Sequence, residues 1–440
     1  MKILLILTFL SFSVLAQTPG QANDFKVVAV GAAGVAKENM VITYEQCMQS
    51  SMMNKNLQAL AEITRNDFAF YSHILNVHLL PSPQSAPTVA NIKEKTSINA
   101  VYWLHWKCNQ GNFELLVNSV MEQKEKLKKE WKNTNDVNRS LVHQFNDQAF
   151  QALFAKKSIF NSKIVFSGAV EWGSRRSVKE IYMVDFDGYN LNRVTQHRGL
   201  ALAPAFSPDN KKIIYSLIDS KKVVKNVELR ELDLQTRSSK IISNKVGMNS
   251  GAVYTEDGRG VYTTLSFRGN ADIYYIDLAS GTERALTSSF AEDVDPSITK
   301  DGKLLTFLSN RAGKAHVYTL DPSGKEKDVK RISFVGKFNA TPRFSPDGTE
   351  IVFSSWVDNG FDLYRLSITG QSIARLTKNY GSNEDPTYSE DGQFIVFSSR
   401  QSGRSAKDLD QKLFIMNRDG EILGALTQNF RICSSPRLSN

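Results

Sequence analysis

The sequence contains few of the residues from which metal sites and nucleophilic active sites are built. Its 440 residues include six histidines and three cysteines, and no His-x-x-x-His pair of the kind that binds zinc on one helix face. The Gly-x-Ser-x-Gly pattern of serine hydrolases is also missing, because the segment from Gly247 to Gly251 places its serine one position too late. We therefore expect a protein that is not an enzyme and that holds no metal or cofactor.

The cysteines are too few for a disulfide framework. Cys47 and Cys108 are the only two that fall within one predicted domain, and Cys433 lies far from both in the sequence. At most one disulfide can form, and each of the three is equally compatible with a structural or free thiol.

Long apolar runs are missing except at the start of the chain. Residues 3–15 form a short apolar segment after Lys2, and small residues follow at Val14 and Ala16. This pattern is typical of a secretory signal peptide over residues 1–16, with cleavage after residue 22 as the second possibility. The segment is too short to span a membrane, which takes about 20 apolar residues. The competing interpretation is a buried N-terminal helix.

The net charge of +9 does not point to nucleic acid. Lys and Arg are spread along the whole chain, and the densest cluster, residues 124–132, is interrupted by Glu125 and Glu130. A nucleic-acid surface is expected to be clustered and of one sign. We interpret this cluster as a solvated face and expect no nucleic-acid partner.

An internal repeat dominates the C-terminal two-thirds of the sequence. The phrase Phe-Ser-Pro-Asp-Asn/Gly and its variants recurs, with its aspartates spaced 48, 44, 46 and 44 residues apart: Asp209, Asp257, Asp301, Asp347 and Asp391. A proline, here called the opening proline, starts most repeats, and β-branched and aromatic runs follow each Asp-Gly turn. A period in the mid-forties is the length of one four-stranded propeller blade. Turn formation explains the repeated aspartates better than a metal or glycosidase site does.

Both ends of the repeat region carry incomplete blades. Residues 164–167 read as a second strand with no proline phrase before it, and Ser435 to Ser439 is a proline phrase with nothing after it. We expect these two pieces to complete one blade and close a ring of six blades over residues 159–440. The strand positions predicted to face the channel are apolar or aromatic: Phe206, Tyr254, Ile298, Phe344, Tyr388 and Leu438.

Residues 26–158 lack the repeat and predict a small α/β domain with a mixed sheet and helices. Residues 25–30 read as a strand, 45–63 and 137–154 as helices, and 100–106 with 112–120 as a hairpin. Residues 17–25 are small and polar, which favours a mobile N-terminal segment.

The order of these parts resembles the TolB family, the periplasmic components of the Tol–Pal envelope system. The most specific stretches are residues 185–190 (Asp-Phe-Asp-Gly-Tyr-Asn) and the final proline phrase, whereas Ala252 replaces one opening proline and the N-terminal domain diverges most. The resemblance implies a periplasmic protein-interaction module that supports outer-membrane integrity and envelope constriction during cell division. It further implies binding to a Pal-like peptidoglycan-associated lipoprotein at the channel mouth and to TolA through the N-terminal region, with membrane association only through partners.

Variable loops on a rigid scaffold usually carry recognition, so we place the candidate contacts in the loops that precede each opening proline. The candidate residues are Met248, Asn249, Asp293, Asp295, Asn339, Thr341, Glu384 and Asp385. Their acidic members favour a partner that presents Lys, Arg or backbone donors. The alternatives are a secreted propeller enzyme, such as a glycan lyase or hydrolase, and a propeller that binds glycan or another small ligand.

Overall fold

The computed structural model describes residues 36–47, 51–82, 87–109, 111–132, 137–171, 178–219, 226–324, 326–401 and 410–440. The predicted signal peptide, the mobile segment and the strand at residues 25–30 lie outside these residues. No helix within the described ranges combines the length and apolar character needed to cross a membrane.

The N-terminal domain is a five-stranded mixed sheet with helices packed on it. Its elements are β1 (Glu38–Tyr44), α1 (Ser51–Ala69), β2 (Leu75–Pro81), α2 (Ile92–Thr96), β3 (Ala100–Asn109), β4 (Asn112–Ser119), β5 (Lys124–Trp131) and α3 (Arg139–Phe154). The strand order is β2-β1-β3-β4-β5, with β1 parallel to both neighbours and β3, β4 and β5 antiparallel. The predicted mixed α/β architecture is confirmed.

The boundaries in this domain differ from those predicted. Helix α1 covers Ser51–Ala69 rather than residues 45–63. Glu45 instead follows β1, where its N–H donates to the Trp106 carbonyl at 3.0 Å, and Cys47 forms a disulfide with Cys108, with Cα atoms 5.5 Å apart. Helix α3 starts at Arg139 because the side chain of Asn138 caps it, accepting a hydrogen bond from the Leu141 N–H at 3.1 Å. The lysine-rich cluster forms the edge strand β5, which is largely exposed.

The remaining strands form a β-propeller. Four sheets have four strands each, in the orders β12-β11-β10-β9, β13-β14-β15-β16, β17-β18-β19-β20 and β21-β22-β23-β24. Their bounds are β9 (Leu200–Phe206), β10 (Lys212–Ile218), β11 (Val227–Asp233), β12 (Ser239–Ser243), β13 (Asn249–Tyr254), β14 (Gly260–Leu265), β15 (Asp272–Asp277), β16 (Glu283–Ala285), β17 (Asp293–Ile298), β18 (Leu305–Ser309), β19 (His316–Leu320), β20 (Lys330–Arg331), β21 (Asn339–Phe344), β22 (Glu350–Val357), β23 (Gly360–Ser367) and β24 (Ile373–Arg375).

The fifth sheet is larger and contains both ends of the repeat region. Its strands are β6 (Lys163–Ala169), β7 (Glu180–Asp185), β8 (Asn192–Arg193), β25 (Ser382–Tyr388), β26 (Phe394–Arg400), β27 (Gln411–Asn417), β28 (Ile422–Ala425) and β29 (Ile432–Leu438). The order is β25-β26-β27-β29-β6-β7-β8, with β28 also paired to β27. By strand pairing the propeller therefore has five sheets, so the predicted count of six blades does not follow from the pairing alone.

One hydrophobic core joins the two domains. It runs from Leu57 and Phe68 on α1 through Phe150 on α3 to Phe186 and Phe394 of the propeller. The ring of Phe70 lies 5.0 Å from that of Phe186, in an edge-on arrangement. This shared core fixes which end of the propeller the N-terminal domain covers.

Candidate functional site

The first strands of the propeller line a central cavity. Strands β9, β13, β17, β21, β25 and β29 each contribute the two residues that follow the opening position, and the cavity has a volume of about 180 Å³. The apolar and aromatic side chains predicted to face the channel all line it. Among the described lining residues there is no histidine or cysteine, and the charged ones are Glu256, Lys300, Arg343, Glu390 and Arg437.

Each first strand contains a bulge directly before its opening position. The pairing register shifts there in all six strands. The residue at the bulge has a positive φ between 47° and 68° in each case: Ala203, Gly251, Asp295, Thr341, Asp385 and Ser435. A left-handed conformation is costly for a β-branched residue such as Thr341. The bulge also bends each first strand at the channel mouth.

The loops before these bulges form one end of the propeller, here called the loop face. The residue two positions before each bulge is buried, and at Asn249, Asp293 and Asn339 it holds its own loop in place. Asn339 Oδ1 accepts a hydrogen bond from the Ser333 hydroxyl, and Asn339 Nδ2 donates to the carbonyl of Val335 at 3.0 Å. Asn249 repeats this arrangement with Ser243, at 2.6 Å, and with the carbonyl of Lys245, at 2.7 Å.

Asp293 occupies the equivalent buried position with a charged side chain. Arg311 Nη2 lies 2.8 Å from its Oδ2, and its Oδ1 is buried without a hydrogen-bond partner among the described residues. Burial raises the pKa of this carboxyl despite hydrogen bonds and the nearby guanidinium. The side chains of Asn249, Asp293 and Asn339 are thus buried rather than exposed at the channel mouth, and their contact with a partner stays a prediction.

The other five predicted residues are at least partly exposed at the channel mouth. Asp295 Oδ1 lies 2.6 Å from Arg343 Nη2, and Asp385 Oδ2 accepts the Ser435 N–H at 2.8 Å. Burial and the neighbouring Asp385 raise the pKa of Glu384. The hydroxyl of Thr341 lies 3.2 Å from that of Ser354, and Met248 is 40% exposed.

The loop face also carries an exposed apolar surface that the sequence reasoning missed. Val246 is 83% exposed, Phe290 fully exposed and Phe334 59% exposed, on the loops that lead into β13, β17 and β21. These side chains and Met248 lie on the loops of three first strands that are neighbours, and together they are here called the apolar arc. The signal was present in the sequence as apolar residues in otherwise polar loops.

The opposite end, here called the turn face, is formed by the tight turns between first and second strands. Each repeated aspartate accepts a hydrogen bond from the Ser or Thr hydroxyl two residues earlier. Each also accepts the backbone N–H two residues later, which confirms their predicted role in the turns.

The N-terminal domain covers part of the turn face. Tyr71 Oη donates to Asp391 Oδ2 at 2.5 Å and accepts the Ile159 N–H at 3.0 Å. Lys157 Nζ lies 3.1 Å from Glu390 Oε1, in the same turn.

A buried ionic cluster lies where the two domains meet. His143 on α3 places Nδ1 2.8 Å from Asp67 Oδ2 and Nε2 3.3 Å from Asp187 Oδ2, and Arg139 also pairs with Asp187. Burial alone would lower the pKa of His143, but hydrogen bonds to Asp187 and Asp67 raise it to about 9. Burial alone would raise the pKa of Asp187, but His143 and Arg139 lower it.

Asp67, His143 and Asp187 are close enough together to hold a cation, since their ligand atoms lie within 4.8 Å of one another. However, Arg139 already neutralises Asp187, and Asn146 Nδ2 donates to Asp67 Oδ2 at 2.7 Å. A protonated histidine between two carboxylates accounts for these contacts, so we interpret the cluster as an ion-pair junction between the domains.

Comparisons with known proteins agree with this architecture. The family model of the TolB beta propeller domain matches residues 150–355 and 335–440. The Protein TolB homolog of Chlorobium chlorochromatii is 33% identical over 183 residues, which are 42% of this chain and 39% of the relative. The Tol-Pal system protein TolB of Wolinella succinogenes is 27% identical over 236 residues, 52% of this chain and 54% of the relative. The chain thus spans about half, or less, of the length of these curated relatives.

A solved structure is similar over nearly the whole chain. The crystal structure of TolB from Acinetobacter baumannii superimposes with a TM-score of 0.73, at 23% identity, covering 92% of this chain and 97% of that one. At this identity the likeness shows the fold. Together with the family model, which matches more than half of the residues, it leads to one conclusion: the chain belongs to the TolB family of β-propeller proteins.

Proposed function

We propose that this protein is a periplasmic protein-interaction module of a Tol–Pal system and not an enzyme. The name of the Wolinella relative, Tol-Pal system protein TolB, supports the system. The observation that carries the proposal is the apolar arc, because exposed aromatic side chains on a rigid face are typical of a protein-binding surface. The predicted signal peptide over residues 1–16 supports export to the periplasm.

We infer that the propeller has six blades. The eight-stranded sheet is held together between β27 and β29 by a single residue pair, Gln411 with Ile432. Every other neighbouring pair in it is antiparallel and extends over at least two residue pairs. Dividing it at that point leaves β25–β28 as one blade and β29-β6-β7-β8 as another, in which the last strand of the chain pairs with the first of the propeller.

The loop face is the proposed binding site for a Pal-like lipoprotein. The contact set now comprises the exposed residues of the earlier prediction, Met248, Asp295, Thr341, Glu384 and Asp385, together with Val246, Phe290 and Phe334. Apolar anchors beside partly exposed carboxylates favour a partner loop with an apolar side chain and Lys, Arg or backbone donors. Through this partner the protein would support outer-membrane integrity and constriction at division.

The N-terminal region is the proposed contact for TolA, with membrane association only through partners. This proposal rests on the family resemblance and on the small, polar composition of residues 17–25. Deleting residues 17–25 from the mature protein is expected to abolish binding to the TolA periplasmic domain while leaving Pal binding unchanged. Unchanged TolA binding would contradict this part of the proposal.

Calorimetric titration with the soluble domain of the Pal-like lipoprotein of the same organism tests the main proposal. We expect binding that weakens about 10-fold or more in Phe290→Ser and in Phe334→Ser, since central aromatic anchors each contribute over 1 kcal/mol. Ile241→Ser is the matched control, because Ile241 is 45% exposed on the outer strand β12. No binding by the wild type, or equal weakening in all three variants, would contradict the proposal.

A further inference from the structure

Two arginines occupy the same position of the repeat inside the central cavity. Arg343 on β21 and Arg437 on β29 each follow an opening proline. Each donates from Nη1 to the carbonyl of that proline, Arg343 to Pro342 at 2.6 Å and Arg437 to Pro436 at 3.1 Å. Both side chains line the cavity.

The two arginines differ in their ionic partners. Arg343 Nη2 lies 2.6 Å from the carboxylate of Asp295, the bulge residue of the preceding first strand. The equivalent carboxylate for Arg437 is that of Asp385, whose Oδ2 instead accepts the Ser435 N–H at 2.8 Å. Over the part of the chain that the structure describes, no carboxylate forms an ion pair with Arg437.

A further donor in the same cavity lacks an acceptor. Arg343 Nε is buried and has no hydrogen-bond partner among the described residues. Burial, with the positive charge of Arg343 second, lowers the pKa of Arg437 to about 9, although Asp295 and Asp385 act in the opposite direction. Buried donors without acceptors are rare in native proteins, and each calls for a ligand, a water or an ion.

The remaining charges around the cavity are accounted for. Lys300 and Glu390 pair with each other across the turn face, and Glu256 is exposed to solvent. Among the described charged side chains that line the cavity, Arg437 is therefore the one inside it that forms no ion pair, although Asp295 and Asp385 are near enough to act on its pKa. Guanidinium groups recognise carboxylate and phosphate by paired hydrogen bonds, and the cavity is large enough for a small anion of either kind.

We propose that the central cavity binds a small oxyanion, a phosphate or a carboxylate, through Arg437, with Arg343 Nε as an additional donor. The site is separate from the apolar arc, but Asp295 and Asp385 of the proposed Pal contact act on its arginines. The proposal rests on Arg437, which occupies the same repeat position as Arg343 but does not form the corresponding ion pair with Asp385.

Calorimetric titration of the mature protein with inorganic phosphate and with acetate, each in chloride buffer of matched ionic strength, tests the proposal. Saturable binding of either ion is expected, and the stronger of the two tells a phosphate site from a carboxylate site. Arg437→Gln is expected to weaken that binding at least 10-fold. Arg259→Gln is expected to leave it unchanged, because Arg259 is 83% exposed and does not line the cavity.

Arg437→Lys keeps the test decisive if Arg437→Gln does not fold. It keeps the positive charge but removes the paired N–H donors of the guanidinium, so it is expected to weaken binding of the preferred anion several-fold. No saturable binding of phosphate or acetate by the wild type would overturn the proposal, as would equal binding by the wild type and Arg437→Gln. Neither result depends on whether the protein binds a Pal-like lipoprotein.

Discussion

The two ends of the propeller use the same repeat in different ways. At the turn face the repeated residues are Ser or Thr and Asp, their hydrogen bonds are made within each turn, and the N-terminal domain covers the turn of Asp391. At the loop face the repeated residues, such as Asn249 and Asn339, are buried, while the residues that vary between repeats are exposed. Repetition therefore marks structural residues at both ends, and departure from the repeat marks the surface available to a partner.

Breaking the junction beneath the turn face is expected to have the largest effect. His143→Ala leaves Asp67 and Asp187 buried without their shared cation, so we expect a loss of about 3–5 kcal/mol in the free energy of unfolding. Urea unfolding at pH 7 measures it. His78→Ala, at a half-buried position on β2, is the control and is expected to cost much less. Equal losses in the two variants would contradict the ionic junction.

The same junction makes a pH dependence predictable. The folded-state pKa of His143, about 9, lies above its ordinary value of 6.5, so its stabilising contribution is complete below pH 6.5 and is lost as the pH rises through 9. We expect the stability difference between wild type and His143→Gln to shrink by up to about 1.4 kcal/mol per pH unit across this window. Urea unfolding at pH 6, 7, 8, 9 and 10 measures the difference.

Comparison with His143→Gln isolates this histidine from the others. Burial lowers the pKa values of His73, His197 and His316, so their contributions change with the opposite sign and at lower pH. A difference that stays constant from pH 6 to pH 10 would show that His143 is neutral in the folded protein.

Removing a buried, hydrogen-bonded side chain at the loop face is expected to have an intermediate effect on stability. Asn339→Ala removes the acceptor of the buried Ser333 hydroxyl and one of the two donors to the Val335 carbonyl, and the loss costs about 1–3 kcal/mol for a buried polar group. Thermal unfolding against the wild type measures it. Stability equal to that of the wild type would show that Asn339 does not hold its loop in place and would favour a role in contacting a partner.

Changing the exposed surface of the loop face is expected to have the smallest effect on stability. Phe290→Ser is expected to change the free energy of unfolding by no more than about 0.5 kcal/mol, since the side chain is fully exposed. Urea unfolding alongside Asn339→Ala gives the comparison directly. A loss as large as that of Asn339→Ala would mean that the aromatic ring supports the fold rather than a contact with a partner.

The sequence allowed the propeller to be predicted because each blade repeats a turn that has few chemical solutions. Asp with Gly, or with Asn at Asn210, provides the positive φ that the turn requires. The N-terminal strands were harder to find. Strand β5 reads Lys-Glu-Lys-Leu-Lys-Lys-Glu-Trp, and among the described strands its one pairing partner is β4. Its charged composition is not typical of a strand, and the pairing with β4 holds it in the sheet.

The candidate site was predicted only in part, for a related reason. Asn339 and Thr341 both lie at the start of β21, and polarity alone does not tell which one faces solvent. Burial is decided by Ser333, in the loop after β20, and by Ser355 on β22, whose hydroxyls reach the Asn339 side chain. The candidate contacts chosen from the sequence are mostly polar, so they do not include Val246, Phe290 and Phe334 of the apolar arc.

Hydrogen exchange of the full mature protein, with and without the soluble domain of the Pal-like lipoprotein, tests most directly that the loop face is the recognition surface. We expect new protection in residues 244–249, 288–293 and 334–339, and no change in the turns at residues 207–210, 255–258 and 299–302. Protection confined to those turns, or to the N-terminal domain, would contradict the assignment of recognition to the loop face.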